Sequence, residues 1–409
     1  MSSRISPEFE RDISFCRVSR NASRSIEQED LAVRRELLAW ASGGARRLLE
    51  EGGLEVWYQP ILEASSGTVV GVEALARLRE ADGTIRYPNQ FLPQLEVADL
   101  MELSQAVLAQ ALLDLAVLED RGYPLWVSVN MAPESFSHAC VPCLQSILAN
   151  SGIAPSRITL EILESSDFLG MEESIPVLES LRSRGLHLAL DDVGTAYGSL
   201  LRLKELPVDK IKLDQGFIRT LETRPQDLHF VGALQDLADG MGVELVVEGV
   251  ETVDILDAVT AMGANLLQGY AISRPVPLPD LLRFLGEGTP VSRGACGGFL
   301  GLYAAQLSEH GTLKKVLRQH PQLVPVLTQV AAEDCSIHVH LHRLDRSDGH
   351  RLDRFHRTYH EALSSFIRNG LWSSPAGWIA VDQAQEDLLA AILAEWRISR
   401  TETGDDGAC

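Results

Sequence analysis

Two adjacent carboxylates, Asp191 and Asp192, end the apolar run that starts at His187 and open into Val-Gly-Thr-Ala-Tyr-Gly-Ser. The apolar run reads as a buried strand, and the Gly/Thr/Ser-rich stretch behind it as a turn. Two like charges at a strand end repel each other and are costly to bury unpaired. Something positive belongs beside them, and hard oxygen donors suit a divalent cation such as Mg²⁺ or Mn²⁺. Alone, an Asp-Asp pair is more often an exposed turn or a helix N-cap. The rest of the chain decides otherwise, because oxygen donors recur at the ends of other apolar runs.

Those runs are Glu55–Ile61, Val69–Glu73, Leu125–Asn130, Arg157–Glu161, His187–Asp192, Lys210–Asp214, Glu244–Glu248 and Leu266–Tyr270. Helical stretches alternate with them, which calls for a barrel or an open parallel sheet. A (β/α)₈ barrel takes about 250 residues, close to the span from Leu54 to Gly286, and the barrel is favoured. Its chemistry lies at the C-terminal strand ends, where Glu73, Asn130, Glu161, Asp191, Asp192, Lys212, Glu248 and Gln268 fall. Solvated acids would scatter over helix faces instead. Acids converging on one rim make a site for two divalent ions, a usual device for in-line hydrolysis of phosphate esters.

Taken singly, the same residues have ordinary readings. Glu73 or Glu248 could be a surface acid, Asn130 a turn residue, and Lys212 a partner of Asp209 or Asp214. Gln59 and Arg77 could be structural hydrogen-bonders. Their joint spacing carries the functional reading.

Composition bounds the rest. The chain has 409 residues, 45% hydrophobic and 6% aromatic, with formal net charge −21. Such a charge makes a nucleic-acid polymer or an anionic membrane an unsuitable partner. No N-terminal apolar segment or long apolar run stands out, so neither secretion nor membrane insertion is expected. Cysteines 16, 140, 143, 296, 335 and 409 are scattered, which fits a reducing cytoplasm. Cys140 and Cys143 have C-x-x-C spacing, read as free thiols.

The ordered series Tyr58-Gln-Pro60, Glu73-Ala-Leu-Ala-Arg77, Val129-Asn130, Glu161-Ile-Leu-Glu164, Asp191-Asp192-Val-Gly-Thr, Leu206-Pro-Val-Asp-Lys-Ile-Lys-Leu-Asp214, Val247-Glu-Gly-Val-Glu251 and Gln268-Gly-Tyr…Ser273-Arg-Pro275 resembles the EAL-domain cyclic-di-GMP phosphodiesterases. The resemblance covers roughly residues 35 to 285. It implies a modified TIM barrel whose first strand is antiparallel to the rest, and hydrolysis of cyclic di-GMP to linear pGpG. It implies that Glu73, Asn130, Glu161 and Asp191 bind one metal ion. Asp191 and Asp192 would hold a second, helped by Glu248 and Gln268. Lys212 would lie beside the attacking water, with Gln59, Leu75 and Arg77 on the nucleotide. Glu164 would pin the loop after Asp192, a loop tied in this family to homodimerisation and activity. The chain departs from the family at Leu163, Val193, Ala196 and Gly198, which bears on loop closure and removes no metal ligand. Two other readings stay open: a non-catalytic receptor for the dinucleotide, and a dimeric scaffold with a degenerate loop.

The expected organisation is a mobile lead-in over 1–30, the barrel over 31–286, a linker over 287–300, a helical regulatory domain over 301–400 and a tail over 401–409. Eight of the eleven histidines follow residue 300. His356 and His360 stand at i and i+4, one helix face apart, a recurrent zinc-ligand spacing. With His310 and Cys335 the order is similar to the chemoreceptor zinc-binding modules, which implies Zn²⁺ there. The alternative is histidines on solvated faces or at a dimer seam.

Overall fold

The computed structural model describes residues 53–80, 82–136, 141–163, 174–194, 203–288, 298–320, 322, 351–371 and 374–403. The expected lead-in, the loop positions 196 and 198, Glu164 and Cys335 lie outside the described residues.

Ten strands are described: β1 (Leu54–Glu63), β2 (Thr68–Arg79), β3 (Ile85–Arg86), β4 (Trp126–Asn130), β5 (Ile158–Leu163), β6 (His187–Val193), β7 (Lys210–Leu213), β8 (Glu244–Val247), β9 (Leu266–Gln268) and β10 (Val276–Pro277). They form one sheet, closed into an eight-stranded barrel by β1, β2 and β4 to β9. The helices taken up here are α1 (Val97–Asp120), α2 (Val141–Ser151), α3 (Ser174–Ser183), α4 (Gln215–Arg219), α5 (Leu228–Met241), α6 (Val253–Ala261), α7 (Leu278–Glu287), α8 (Phe299–Gln319), α9 (Arg351–Arg368) and α10 (Ile379–Thr403). Each expected strand is present, all within a residue or two except β2, which runs on to Arg79, six residues past the expected end at Glu73, and the helical C-terminal stretches are α8, α9 and α10.

The chain forms two compact units. The first holds the sequence to Asp214 together with 242–248 and 272–290; the second holds 215–241, 249–271 and the sequence from Val291 onward.

In the first unit β1 and β2 make an antiparallel hairpin, with Gln59 opposite Glu73 and Leu54 opposite Leu78. The reversed first strand implied by the resemblance is thus observed. From β2 the ladder is parallel through β4, β5, β6, β7 and β8. Glu73 stands opposite Ser128, and Asn130 opposite Glu161, so the polar strand ends reach one level. Between them Val127, Val129, Leu160, Ile162, Leu188, Leu190, Ile211 and Leu213 are fully buried. Near-continuous Val/Ile/Leu runs are what strands covered on both faces require.

Gly71 of β2 has a steric reason to be glycine, since a Cβ there would come within 2.3 Å of the Trp126 ring. That ring in turn lies 4.6 Å under the Lys210 ammonium, which pairs with Glu244.

Helix α1 corrects one expectation. Its 24 residues are apolar and long enough to cross a membrane by length and composition alone. Half of its apolar window is buried inside the protein, including Leu103, Val107, Leu108, Leu112 and Leu115. Packed on β4 and β2, it serves as a barrel helix. Its apolar residues sit closely enough in sequence to pass for a span, but the barrel takes up their surface.

In the second unit Thr252 caps α6, its hydroxyl accepting from the Ile255 amide at 3.2 Å. Asp254 of that first turn accepts hydrogen bonds from the amides of Leu300 and Gly301 at 3.1 and 3.2 Å, capping α8. Gly298 lets the two approach, since a Cβ there would fall 1.9 Å from Asp254 Oδ1. Helix α8 also packs on α10, where Gln306 and Gln385 exchange buried amide bonds.

Candidate active site

The expected rim residues of the first unit converge, and their meeting point is the Lys212 ammonium. Lys212, on β7, is 2% exposed. Its Nζ lies 2.7 Å from Glu248 Oε1, 3.0 Å from Glu161 Oε1, 3.3 Å from Asp191 Oδ1 and 3.4 Å from Glu73 Oε2. Asn130 Nδ2 donates to Glu73 Oε1 at 2.8 Å, tying in the end of β4. Lys212 is not spent on the neighbours that an ordinary reading offered. Asp209 instead accepts from Arg182 at 2.8 Å and from the Leu188 amide at 3.0 Å.

A regular strand would send Asp191 and Asp192 to opposite faces. Asp192 instead has φ 60°, the one positive φ outside glycine among the described residues, and the β6–β7 register shifts after Leu190. Aspartate tolerates this left-handed backbone better than most residues. The kink breaks the period of two at the double acid.

Four carboxylates face one ammonium, so negative charge is in excess and must be carried in a dry place. Burial pushes the Glu161 and Asp191 carboxyls up, against the pull of Lys212. Burial likewise raises Glu248 to about 8. Burial and the charges of Asp191 and Asp214 raise Asp192 to about 6. For Lys212, burial alone would discharge the amine, but the four surrounding acids outweigh it and hold the ammonium firmly.

This donor set fits a hard divalent cation. Its oxygens are carboxylates, the surplus charge is negative, and Glu161 Oε2 is buried with no hydrogen-bond partner. Among the described residues no three acids or imidazoles are drawn in on a common ligating point; the ammonium holds them around itself. The positive charge expected beside Asp191 and Asp192 is therefore supplied, within the protein, by Lys212. Gln268 is buried at the end of β9, in the second unit.

Gln59 faces Glu73 across the hairpin and donates to the Ser273 carbonyl at 3.4 Å. Leu75 is half-buried opposite Trp57. Arg77 is buried; its Nη1 donates to the Ala76 carbonyl at 2.7 Å, and its guanidinium lies 5.6 Å from the Trp57 ring and 4.9 Å from the Tyr87 ring. Sequence reasoning passed over Trp57 and Tyr87. The signal for Tyr87 was the following Pro88, which fixes the backbone before it.

The histidines of the C-terminal helices are only partly gathered. His356 and His360 have ring centroids 4.5 Å apart on α9, and His360 Nε2 is buried without a hydrogen-bond partner. His310 turns elsewhere: Nδ1 lies 3.1 Å from the Tyr359 hydroxyl and Nε2 3.0 Å from Asp382 Oδ1.

Comparison with known proteins bears on the family and the fold. The bifunctional diguanylate cyclase/cyclic di-GMP phosphodiesterase MucR of Pseudomonas aeruginosa is 35% identical over 240 residues, 58% of this chain and 35% of MucR. The cyclic di-GMP phosphodiesterase NbdA of the same organism is 35% identical, covering 59% of this chain and 31% of NbdA. The solved MucR phosphodiesterase in complex with c-di-GMP aligns with TM-score 0.53 and 33% identity, over 62% of this chain and 98% of that one. The chain thus spans about a third of the length of these curated relatives. Residues 44–275 match the family described as the EAL domain, and the chain belongs to that family.

Proposed function

We propose that this chain is a phosphodiesterase that uses Mg²⁺ or Mn²⁺ to open cyclic di-GMP to linear pGpG. The observation that carries the reading is the convergence of Glu73, Glu161, Asp191 and Glu248 on Lys212. The names of the relatives point to the same substrate.

The residues that would hold the first ion are Glu73, Asn130, Glu161 and Asp191. Asp191, Asp192, Glu248 and Gln268 would serve a second. When bound, such a pair acidifies water and polarises phosphoryl oxygens, the general chemistry of two-metal phosphoester sites. Around it, the chain's own groups orient and exclude. The permanently charged Lys212 ammonium attracts the phosphate and stabilises the negative charge that builds on it. Glu248 stands at Lys212 with a raised pKa, placed to hold the proton released by the nucleophilic water. Water attacks phosphorus, the sugar oxygen opposite leaves, and that oxygen takes up a proton. Gln59, Leu75 and Arg77 would orient the nucleotide, the guanidinium suiting phosphate or a guanine edge.

The test is an assay for linear product with Mn²⁺, comparing the intact chain with Asp191→Asn. Product from the intact chain alone supports the enzyme. Binding without product favours the receptor, and neither favours the scaffold. The same reading makes the chain a cytoplasmic homodimer tuned by its helical C-terminal region, and light scattering on the purified chain checks the dimer. For Zn²⁺, the paired His356 and His360 support two ligands, whereas His310 is committed to Tyr359 and Asp382. Cys335→Ala should lower zinc content after purification, and unchanged content removes the zinc reading.

A further inference from the structure

From the surroundings of Arg77 we infer that Tyr87 is a stacking platform for one guanine base of the substrate, and so a residue that sets affinity for the dinucleotide. This rests on the phosphodiesterase reading above and adds a residue to the site. Glu73 and Arg77 are four residues apart on β2 and share one face of the strand. Arg77 is therefore displaced roughly 13 Å along β2 toward its C-terminal end, outward from the acid cluster. A nucleotide whose phosphate meets Lys212 extends its base away from that point, and the outward course of β2 is one direction open to it.

At that place the protein keeps an aromatic ring facing solvent on a fixed stretch of backbone. Tyr87 is 48% exposed. Its backbone is extended, φ −95° and ψ 158°, as a residue before proline must be. Its amide donates to Gln90 Oε1 at 2.9 Å, and its carbonyl accepts from the Gln90 amide at 2.9 Å. The ring lies 4.9 Å from the Arg77 guanidinium, which also lies over Trp57. Arg77 is buried and pinned by the Ala76 carbonyl, so the ring stacks on a fixed cation and remains accessible to a ligand. An ordered, half-exposed aromatic backed by a guanidinium is a good surface for a purine, because every base has a π-face and the ring has little freedom left to lose.

Steady-state kinetics on the full chain with cyclic di-GMP and Mn²⁺ test this with Tyr87→Ala and Tyr87→Phe. The expected result is a KM raised roughly tenfold in Tyr87→Ala, the size of one base–aromatic stack, with kcat within about twofold. Tyr87→Phe, which keeps the π-face, should restore the intact KM. A cyclic dinucleotide carrying 2-aminopurine should lose emission on mixing with the intact chain and keep it with Tyr87→Ala. Equal KM values, a loss that Phe does not restore, or equal quenching overturns the assignment. If the intact chain makes no linear product, the phosphodiesterase reading fails instead, and emission quenching still decides whether Tyr87 stacks a base.

Discussion

Glu248 Oε1 stands 2.7 Å from Lys212 Nζ, nearer than the oxygens of Glu161, Asp191 or Glu73. Glu248 follows β8 directly, and its amide donates to the Leu213 carbonyl at 3.2 Å. The closest carboxylate to the ammonium is thus held by the strand next to the one that carries Lys212.

Removing that ammonium should leave four clustered acids, three of them buried, with no counter-charge. Breaking a buried ion pair from one side costs about 3–5 kcal/mol. Lys212→Met is expected to lower the melting temperature of the metal-free chain by many degrees, and Mn²⁺ to recover part of it. Differential scanning fluorimetry with EDTA and with Mn²⁺ measures both. An unchanged melting temperature in EDTA would mean that Lys212 is not the counter-ion described.

The raised carboxyls give a pH dependence with a definite sign. An acid whose folded pKa is raised favours the fold only while protonated. Stability therefore falls as pH rises from the ordinary carboxylate value to the folded one. For Asp192 the window runs from 3.8 to about 6, and for Glu248 from 4.5 to about 8. Glu248→Gln should match the intact metal-free chain near pH 4.5 and become the more stable of the two by pH 8. Divalent cation should stabilise the intact chain more at pH 8 than at pH 5, because the ligands are then unprotonated. Denaturant titrations across that range give the slopes.

The Asp254 cap on α8 makes a local prediction. Replacing a capping carboxylate by alanine costs about 0.5–2 kcal/mol. Asp254→Ala should speed amide exchange at Leu300, Gly301 and Leu302 in the first turn of α8, while the β4 to β7 amides stay protected. Exchange followed by mass spectrometry reads both in one experiment.

The strands were legible because sheets covered on both faces need unbroken apolar runs, and the acids were legible because they sat where those runs stop. Direction was not: periodicity is the same for a strand read either way, so the reversal of β1 came only from the resemblance and then from the pairing of Leu54 with Leu78. Nor did the sequence reveal what balances Asp191, because Lys212 reaches it through space, 21 positions away in the chain. A divalent cation was expected beside Asp191; the chain adds an ammonium of its own there. Tyr87 escaped notice for a similar reason: its meaning lies in Arg77, across a two-residue strand too short to show a period.

The reversal of β1 also decides where the polypeptide arrives. Leu54, the strand's first residue, pairs with Leu78 near the end of β2, beyond Glu73 and at the height of Arg77. The strand therefore begins at the end of β2 that lies beyond Glu73, so Leu54 and Glu55 stand beside Leu78 and Arg77. A change in the pairing of Leu54 and Glu55 would thus be felt at Arg77 directly, with no relay through the barrel wall.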